Sequence, residues 1–169
     1  GNTVVLKPAP ETPLSSLLMA ELWQDVLPDG VVNIVTGDVE PGARLTEHPD
    51  VDKLAFTGHT ETGTKVMKAA AEDITDVMLE LGGKNANLVL PDADIKKAVE
   101  GSYQGIFNNQ GQACANASRL YVHDDIYDEF MQRFVSKIEE MTIGPGTDDA
   151  TDLAPLASQK QYDKVTGYI

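Results

Sequence analysis

The sequence is poor in several features that would point to particular classes of protein. It holds one cysteine in 169 residues, which excludes a disulfide framework and a cysteine-rich zinc site, so we predict no metal. No apolar run approaches the ~18 residues of a membrane-spanning helix, so we expect no membrane partner. Basic residues number 13 against 27 acidic ones, giving a net charge of −14. This acidity argues against nucleic acid as a partner.

Apolar residues are plentiful enough for a folded core. They make up 41% of the chain, which excludes wholesale disorder. The opening residues show no basic-then-apolar pattern, and we expect a cytoplasmic protein. Apolar patterns run to both ends of the chain, so we also expect an internal fragment of a longer protein. A trimmed small domain is the alternative.

Short apolar runs alternate with helical patterns in the first half of the chain. Strands are predicted at 4–6, 31–35, 51–56 and 77–81. The intervening helices are predicted after a Thr12 cap, over 43–47 and over 60–71, with a loop at 37–42. This rhythm predicts an α/β fold with one parallel sheet, buried strands and helices on both faces.

The spacing of the predicted strands and helices changes after the double glycine at 82–83, which suggests a domain boundary there. Beyond it we predict strands at 86–90 and 120–122, and helices at 95–107 and 125–141. The residues at 91–94 are expected to cap the first of these helices. A polar loop at 108–118 separates that helix from the second strand.

A glycine-bearing turn follows the third predicted strand. Gly58 and Gly63 lie five positions apart, and a helix begins between them. Backbone N–H groups at a helix N-terminus favour an anion, and glycine lets a phosphate approach closely. Taken alone, this spacing is weak and fits an ordinary strand-to-helix turn.

Lys7 ends the first predicted strand. The carboxyl end of a parallel strand is where doubly wound sheets bind ligands. Taken alone, Lys7 also fits a solvated lysine at a strand end.

Cys114 lies in the polar loop among alanine, glycine and serine. These small neighbours leave room for a substrate carbon, and a thiolate there could act as a nucleophile. Many lone cysteines are instead buried and inert.

Glu80 lies in the apolar stretch Val77–Leu81. Burial of a carboxylate favours its neutral form and suits it to general-base work near neutral pH. The alternative is a salt-bridged glutamate, with Lys84 as the nearest partner in sequence.

Four motifs occur together and in this order: GNTVVLKP at 1–8, FTGHTETG at 56–63, LELGGK at 79–84 and NQGQAC at 109–114. This combination closely resembles the NAD(P)-dependent aldehyde dehydrogenase superfamily. The resemblance covers all 169 residues, which correspond to roughly the middle third of such an enzyme.

The resemblance implies a covalent mechanism. Cys114 would attack the aldehyde carbon to form a thiohemiacetal, and loss of hydride to NAD or NADP would leave a thioester. Glu80 would activate the water that hydrolyses it, which favours a hydrolytic enzyme over a CoA-acylating relative. Part of a Rossmann-like cofactor domain would occupy 1–81, and part of the catalytic domain 82–169. The parent enzyme would be a homodimer or homotetramer.

The resemblance also implies a set of cofactor contacts. Lysine would reach the adenosine ribose, glycines would line the adenine end and the pyrophosphate, and leucine would lie at the nicotinamide end. The implied residues are Lys7, Gly37, Gly42, Phe56, Thr57, Gly58, His59, Gly63 and Leu81.

The sequence departs from the family pattern at two positions. Pro10 stands where the family commonly has an acidic residue that binds the ribose hydroxyls, so NAD and NADP both remain open. His59 stands where the family usually has serine, and it could add a cofactor contact. The family's oxyanion-hole asparagine lies outside this chain, so we expect the isolated fragment to be inactive and poorly folded.

Two other functions remain as alternatives. One is a nucleotide-binding relative without catalytic activity, although Cys114 and Glu80 both argue against it. The other is a thiol hydrolase or redox protein, but no histidine forms a recognisable motif with Cys114.

Overall fold

The computed structural model describes all residues, Gly1–Ile169. They form two compact units, Gly1–Leu81 and Gly82–Ile169. None of the helices is both long enough and apolar enough to cross a membrane.

The first unit alternates strands and helices, as the sequence predicts. Its elements are β1 (Val4–Leu6), α1 (Leu14–Gln24), β2 (Val32–Ile34), α2 (Val39–Thr46), β3 (Lys53–Gly58), α3 (Thr60–Asp73) and β4 (Asp76–Leu81). Strand β1 pairs with β2, and β3 pairs with β4, both in parallel. Parallel strands need a crossover connection, which α1 and α3 provide.

Several details of this unit differ from the prediction. The strands form two separate two-stranded pairs rather than one sheet. Thr12 does not cap α1, because Pro13 holds the N-cap position without a side-chain hydrogen bond. Helix α2 begins four residues before Ala43, and Gly42 lies within it. Its first turn accommodates Pro41, because N–H groups there have no intrahelical partner to lose.

Strand burial is also lower than predicted. Val4 and Val5 are each 48% exposed. Along β4, Val77, Leu79 and Leu81 are half-buried, while the alternate residues, including Glu80, are exposed. Successive side chains of a strand point to opposite faces, and α3 packs against only one face of this pair. The expected burial of Glu80 is therefore wrong for this chain.

The second unit is built around one further parallel pair. Its elements are β5 (Ala86–Val89), α4 (Ile95–Phe107), a 3₁₀ turn (Asn108–Gly111), β6 (Arg119–Val122), a second 3₁₀ turn (Asp124–Ile126), α5 (Tyr127–Glu139) and α6 (Gln159–Thr166). Asp94 caps α4, as expected, by accepting a hydrogen bond from the backbone N–H of Lys97 at 3.1 Å. The helix predicted over 125–141 is divided into a 3₁₀ turn and the shorter α5.

The core of the second unit lies between its helices and its strand pair. Val89, Val99, Phe130 and Phe134 are buried together. The rings of Phe130 and Phe134 stack with their centroids 5.5 Å apart. Burial of one such aromatic side chain contributes about 1.5–3 kcal/mol, so this cluster holds α4 and α5 against the strands.

An ion pair also joins α4 to α5. Lys137 Nζ lies 2.8 Å from Glu100 Oε2 and 4.5 Å from the centroid of the Tyr103 ring. The hydrogen bond from Lys137, with a smaller one from Gln104, holds the pKa of Glu100 below its ordinary value. The same bond raises the pKa of Lys137. The pair therefore stabilises the fold at pH values between the pKa of Glu100 and the pKa of Lys137. Its contribution to stability disappears as the pH falls through the lowered pKa of Glu100.

We expect Lys137→Met to lower the urea midpoint for unfolding of the full-length protein modestly at neutral pH. The difference from wild type should shrink as the pH falls below about 4, because protonated Glu100 no longer attracts the ammonium group. Lys96→Met is the control, since Lys96 lies on α4 without an ion pair. A difference that stayed constant between neutral and acid pH would contradict this role.

Candidate functional site

Strands β3 and β4 end side by side, and this brings two of the sequence motifs together. Their register pairs Thr57 with Glu80 and Gly58 with Leu81. Because parallel strands share the edge at which they end, Glu80 lies beside the glycine-bearing turn rather than apart from it. This edge is the position at which open α/β sheets bind their ligands.

Helix α3 begins at the same edge. His59 is its N-cap residue, with an extended backbone and no side-chain capping bond. The first backbone bond of the helix runs from the Gly63 N–H to the His59 carbonyl oxygen at 2.9 Å. The N–H groups of residues 60–62 therefore have no intrahelical partner and can donate hydrogen bonds to an anion. Glu61, a carboxylate in this first turn, partly offsets that attraction.

Two glycines at this edge are in close packing contacts. A Cβ atom on Gly63 would lie 2.6 Å from Leu81 Cδ2, and one on Gly58 would lie 2.6 Å from Phe56 Cζ. Gly63 is buried, so it lets the first turn of α3 approach the end of β4. The structure thus explains Gly63 by helix–strand packing, and its cofactor contact stays a prediction.

Lys7, Gly37 and Gly42 come together at the end of β1. Lys7 Nζ donates to the carbonyl oxygens of Pro8 at 2.7 Å and Gly37 at 3.3 Å. A Cβ atom on Gly42 would lie 3.4 Å from Lys7 Cδ and Cε. A cleft of about 160 Å³ lies alongside, lined by Pro8, Ala9, Pro10, Pro13, Thr36 and Gly37. Its lining contains no carboxylate.

The loop that carries Cys114 begins with a left-handed turn. Asn109, Gln110 and Gly111 have φ angles of 51°, 55° and 70°. A left-handed backbone conformation costs a residue other than glycine about 1–2 kcal/mol of free energy. Contacts with the surrounding residues must therefore stabilise this turn. The sequence predicts only a loop here. Asparagine and glycine tolerate such angles, but nothing in the sequence marks Gln110.

Side-chain amides tie the Cys114 loop to its neighbours. Asn116 Nδ2 donates to the carbonyl oxygens of Ile106 at 3.2 Å and Asn108 at 2.8 Å, which closes the end of α4. Asn85 Nδ2 donates to the carbonyl oxygen of Cys114 at 3.0 Å. Cys114 itself is exposed. The sequence analysis did not predict that either asparagine holds the loop, because no spacing rule connects their hydrogen bonds to the cysteine.

Glu80 and Cys114 belong to different compact units, so their proximity stays a prediction. Lys84, considered above as an ion-pair partner for Glu80, instead lies over the Tyr168 ring, 4.8 Å from its centroid. Both proposed catalytic side chains are exposed within their own units.

Comparison with known proteins decides the family. The chain matches the model of the aldehyde dehydrogenase family over residues 1–169. The chain belongs to the aldehyde dehydrogenase family. DhaS of Bacillus subtilis (strain 168) is 48% identical over 171 residues, which cover 100% of this chain and 34% of DhaS.

Solved structures agree with this assignment. PnpE from Pseudomonas sp. WBC-3 superimposes with a TM-score of 0.96 at 45% identity, covering 99% of this chain and 35% of PnpE. An NADP-dependent enzyme of E. coli gives a TM-score of 0.94 at 45% identity, covering 98% of this chain and 35% of that enzyme. The chain spans about a third of the length of these relatives.

The family assignment confirms the resemblance drawn from the four motifs, and the α/β fold class with it. The roles of individual residues do not follow from these similarities. The catalytic assignments of Cys114 and Glu80 and the cofactor contacts remain predictions for this member of the family.

The packing at Gly63 leads to a stability test against Gly101. Gly101 lies in α4, where an added Cβ atom meets nothing within 4 Å. Gly101→Ala should therefore raise the free energy of unfolding by about 0.5–1 kcal/mol. Gly63→Ala should lower it by about 1–3 kcal/mol, because the added methyl group collides with Leu81. Urea denaturation of the full-length variants measures both changes in the free energy of unfolding. Equal stabilisation by the two substitutions would contradict the close contact.

Proposed function

We propose that the protein to which this segment belongs oxidises an aldehyde to a carboxylic acid with NAD or NADP. The observation that carries the proposal is Cys114. It is an exposed thiol on a strained, amide-tied loop in a chain of the aldehyde dehydrogenase family. Strained backbone that its surroundings maintain is a common feature of catalytic sites.

Cys114 is the proposed nucleophile. Its thiolate sulfur adds to the aldehyde carbon, and the adduct is a thiohemiacetal. Hydride leaves readily from this tetrahedral carbon, whereas it leaves a free aldehyde with difficulty, so a thioester forms on the sulfur. When bound, NAD or NADP would accept this hydride at its nicotinamide. The small neighbours Ala113 and Ala115 leave space for the incoming carbonyl carbon.

Glu80 is the proposed general base. Its carboxylate would take a proton from the water that attacks the thioester carbon. The C–S bond would then break, which would release the carboxylic acid and return Cys114 to its free thiol. Glu80 lies on the uncovered face of β4, beside Thr57.

The cofactor is proposed to use two groups of residues in the first unit. Lys7, Gly37 and Gly42 surround the end of the small cleft, where they would hold the adenosine. The unpaired N–H groups of residues 60–62, with Phe56, Thr57, Gly58, His59, Gly63 and Leu81, would hold the pyrophosphate and the nicotinamide end. The donors fit an anionic dinucleotide, because N–H groups and an ammonium group both attract phosphate.

The choice between NAD and NADP stays open in this proposal. PnpE has been solved in complex with nicotinamide adenine dinucleotide, and the E. coli relative is named as NADP dependent. Pro10, which lines the cleft beside Lys7, provides no carboxylate to repel a 2′-phosphate or to bind ribose hydroxyls.

The proposed whole enzyme is cytoplasmic, acts on a small-molecule aldehyde and assembles as a homodimer or homotetramer. Residues 1–81 would belong to its cofactor domain and 82–169 to its catalytic domain. The segment alone is expected to be inactive. The family's oxyanion-hole asparagine lies outside it, and loss of one such donor typically costs about 10²–10³ in rate.

We expect Cys114→Ala to abolish aldehyde-dependent cofactor reduction in the full-length protein. Glu80→Gln should retain the first turnover and slow steady-state turnover, because thioester hydrolysis loses its base. Absorbance of the reduced cofactor, tested with short, aromatic and semialdehyde substrates, measures both phases. Glu72→Gln, an exposed glutamate near the end of α3, is the control. Normal turnover by Cys114→Ala would contradict the role of Cys114 as the nucleophile. Absence of cofactor reduction by the wild-type protein with every aldehyde tested would favour a non-catalytic nucleotide-binding relative.

His59 is expected to add a contact to the cofactor. Its side chain makes no capping bond to α3, so the imidazole is free to face the pyrophosphate. His59→Ala should weaken cofactor binding a few-fold, which is the effect of losing about one hydrogen bond. Spectral titration with NAD and NADP measures this, with His48→Ala as the control. Unchanged affinity for both cofactors would rule out the contact.

A further inference from the structure

The backbone of Cys114 is held by a side chain from the segment before β5. Asn85 Nδ2 donates to the Cys114 carbonyl oxygen at 3.0 Å. Cys114 lies in a turn in which the Asn116 backbone N–H donates to the Ala113 carbonyl oxygen at 3.1 Å. The Asn85 amide adds a second restraint, on the peptide unit that joins Cys114 to Ala115.

Asn85 is itself anchored to the strand pair. Its carbonyl oxygen accepts a hydrogen bond from the Arg119 backbone N–H at 3.1 Å. Arg119 Nε donates to the carbonyl oxygen of Lys84 at 2.9 Å. The next residue, Ala86, begins β5 and pairs with Arg119. The amide that holds Cys114 thus belongs to a residue that is hydrogen-bonded to the strand pair.

The other side of the loop is tied independently. Asn116 bonds to the carbonyl oxygens at the end of α4, and the Ala117 N–H donates to the Gly105 carbonyl oxygen at 2.8 Å. These bonds remain when Asn85 is changed. Substitution of Asn85 should therefore alter the direction of the Cys114 side chain without detaching the loop.

We propose that Asn85 is a positioning residue for the Cys114 thiol. By holding the Cys114 carbonyl oxygen, it keeps the nucleophile's backbone in the conformation that aims the sulfur at a carbonyl carbon. This inference rests on the proposed role of Cys114. Attack on a carbonyl carbon demands a narrow approach direction, whereas alkylation of an exposed thiol by a small reagent demands much less. Loss of the Asn85 bond should therefore slow the first reaction more than the second.

The test uses two reagents on the full-length protein. With p-nitrophenyl acetate, the Cys114 thiolate attacks the acetyl carbon, the C–O bond breaks, nitrophenolate leaves and the acetyl group passes to sulfur. This reaction needs neither an aldehyde nor a cofactor. Iodoacetamide alkylates the same sulfur with loss of iodide. The initial release of nitrophenolate gives the rate of acetylation, and mass spectrometry of the Cys114 peptide gives the rate of alkylation.

We expect Asn85→Ala and Asn85→Asp each to slow acetylation of Cys114 on the order of tenfold, as loss of one hydrogen bond would. Alkylation should change less than about twofold. The Asp variant keeps the shape of asparagine, but it replaces the donor with an acceptor and adds a negative charge, whereas the Ala variant removes the donor without adding charge. Asn33→Asp is the matched control, because Asn33 Nδ2 also donates to a backbone carbonyl oxygen, that of Gly30, at 2.9 Å.

Several results would overturn the proposal. Acetylation at the wild-type rate in both Asn85 variants would do so, as would equal losses of acetylation and alkylation. Loss of the thermal unfolding transition in both variants, or an equal effect of Asn33→Asp, would assign Asn85 a structural role only. Failure of the proposed function is a separate outcome. It would appear as aldehyde oxidation by Cys114→Ala, while the ratio of the two modification rates would still decide the role of Asn85.

Discussion

Parallel strand pairing is the constraint on which the rest of this structure depends. Two parallel neighbours cannot be joined by a tight turn, so each pair requires a crossover, and the chain returns to the same edge before each strand begins. In the first unit, α3 provides that crossover between β3 and β4. Its N-terminus and the ends of both strands therefore share one edge. Gly63 allows the close approach that this arrangement requires, because its missing side chain leaves room for Leu81.

The same constraint acts differently in the second unit. Cys114 precedes β6 and Asn85 precedes β5, so both lie at the edge where these parallel strands begin. The chain must leave α4 and turn back to reach this edge. It does so through consecutive left-handed residues, whose conformational cost is offset by the Asn116 hydrogen bonds and the packing of α4. The nucleophile thus stands on a short connection that is restrained at both sides.

Much of the fold could be predicted because it follows from local patterns. Apolar runs separated by helical periodicity located every strand, although not the separate strand pairs, and the Asp94 cap marked the start of α4. The predicted starts of α1 and α2 were wrong, because local rules allow more than one starting residue there. Pro41 looks like a loop residue, yet it is tolerated in the first turn of α2, and Thr12 has the chemistry of a cap without occupying the position.

Features that depend on distant contacts could not be predicted from the sequence. The exposure of Glu80 follows from which face of β4 a helix covers, and an apolar stretch does not reveal that. The roles of Asn85 and Asn116 arise from hydrogen bonds between segments that only the fold brings together. The cysteine motif could be recognised because it is local, whereas its supporting residues are scattered along the chain.

The central claim is that Cys114 carries the acyl group during turnover. The most direct measurement is mass spectrometry of the full-length Glu80→Gln protein, quenched during reaction with an aldehyde and NAD or NADP. We expect the Cys114 peptide to gain the mass of the acyl group, because the thioester forms and its hydrolysis is slowed. Turnover without any acyl group on Cys114, or an acyl group on another residue, would contradict the proposed mechanism.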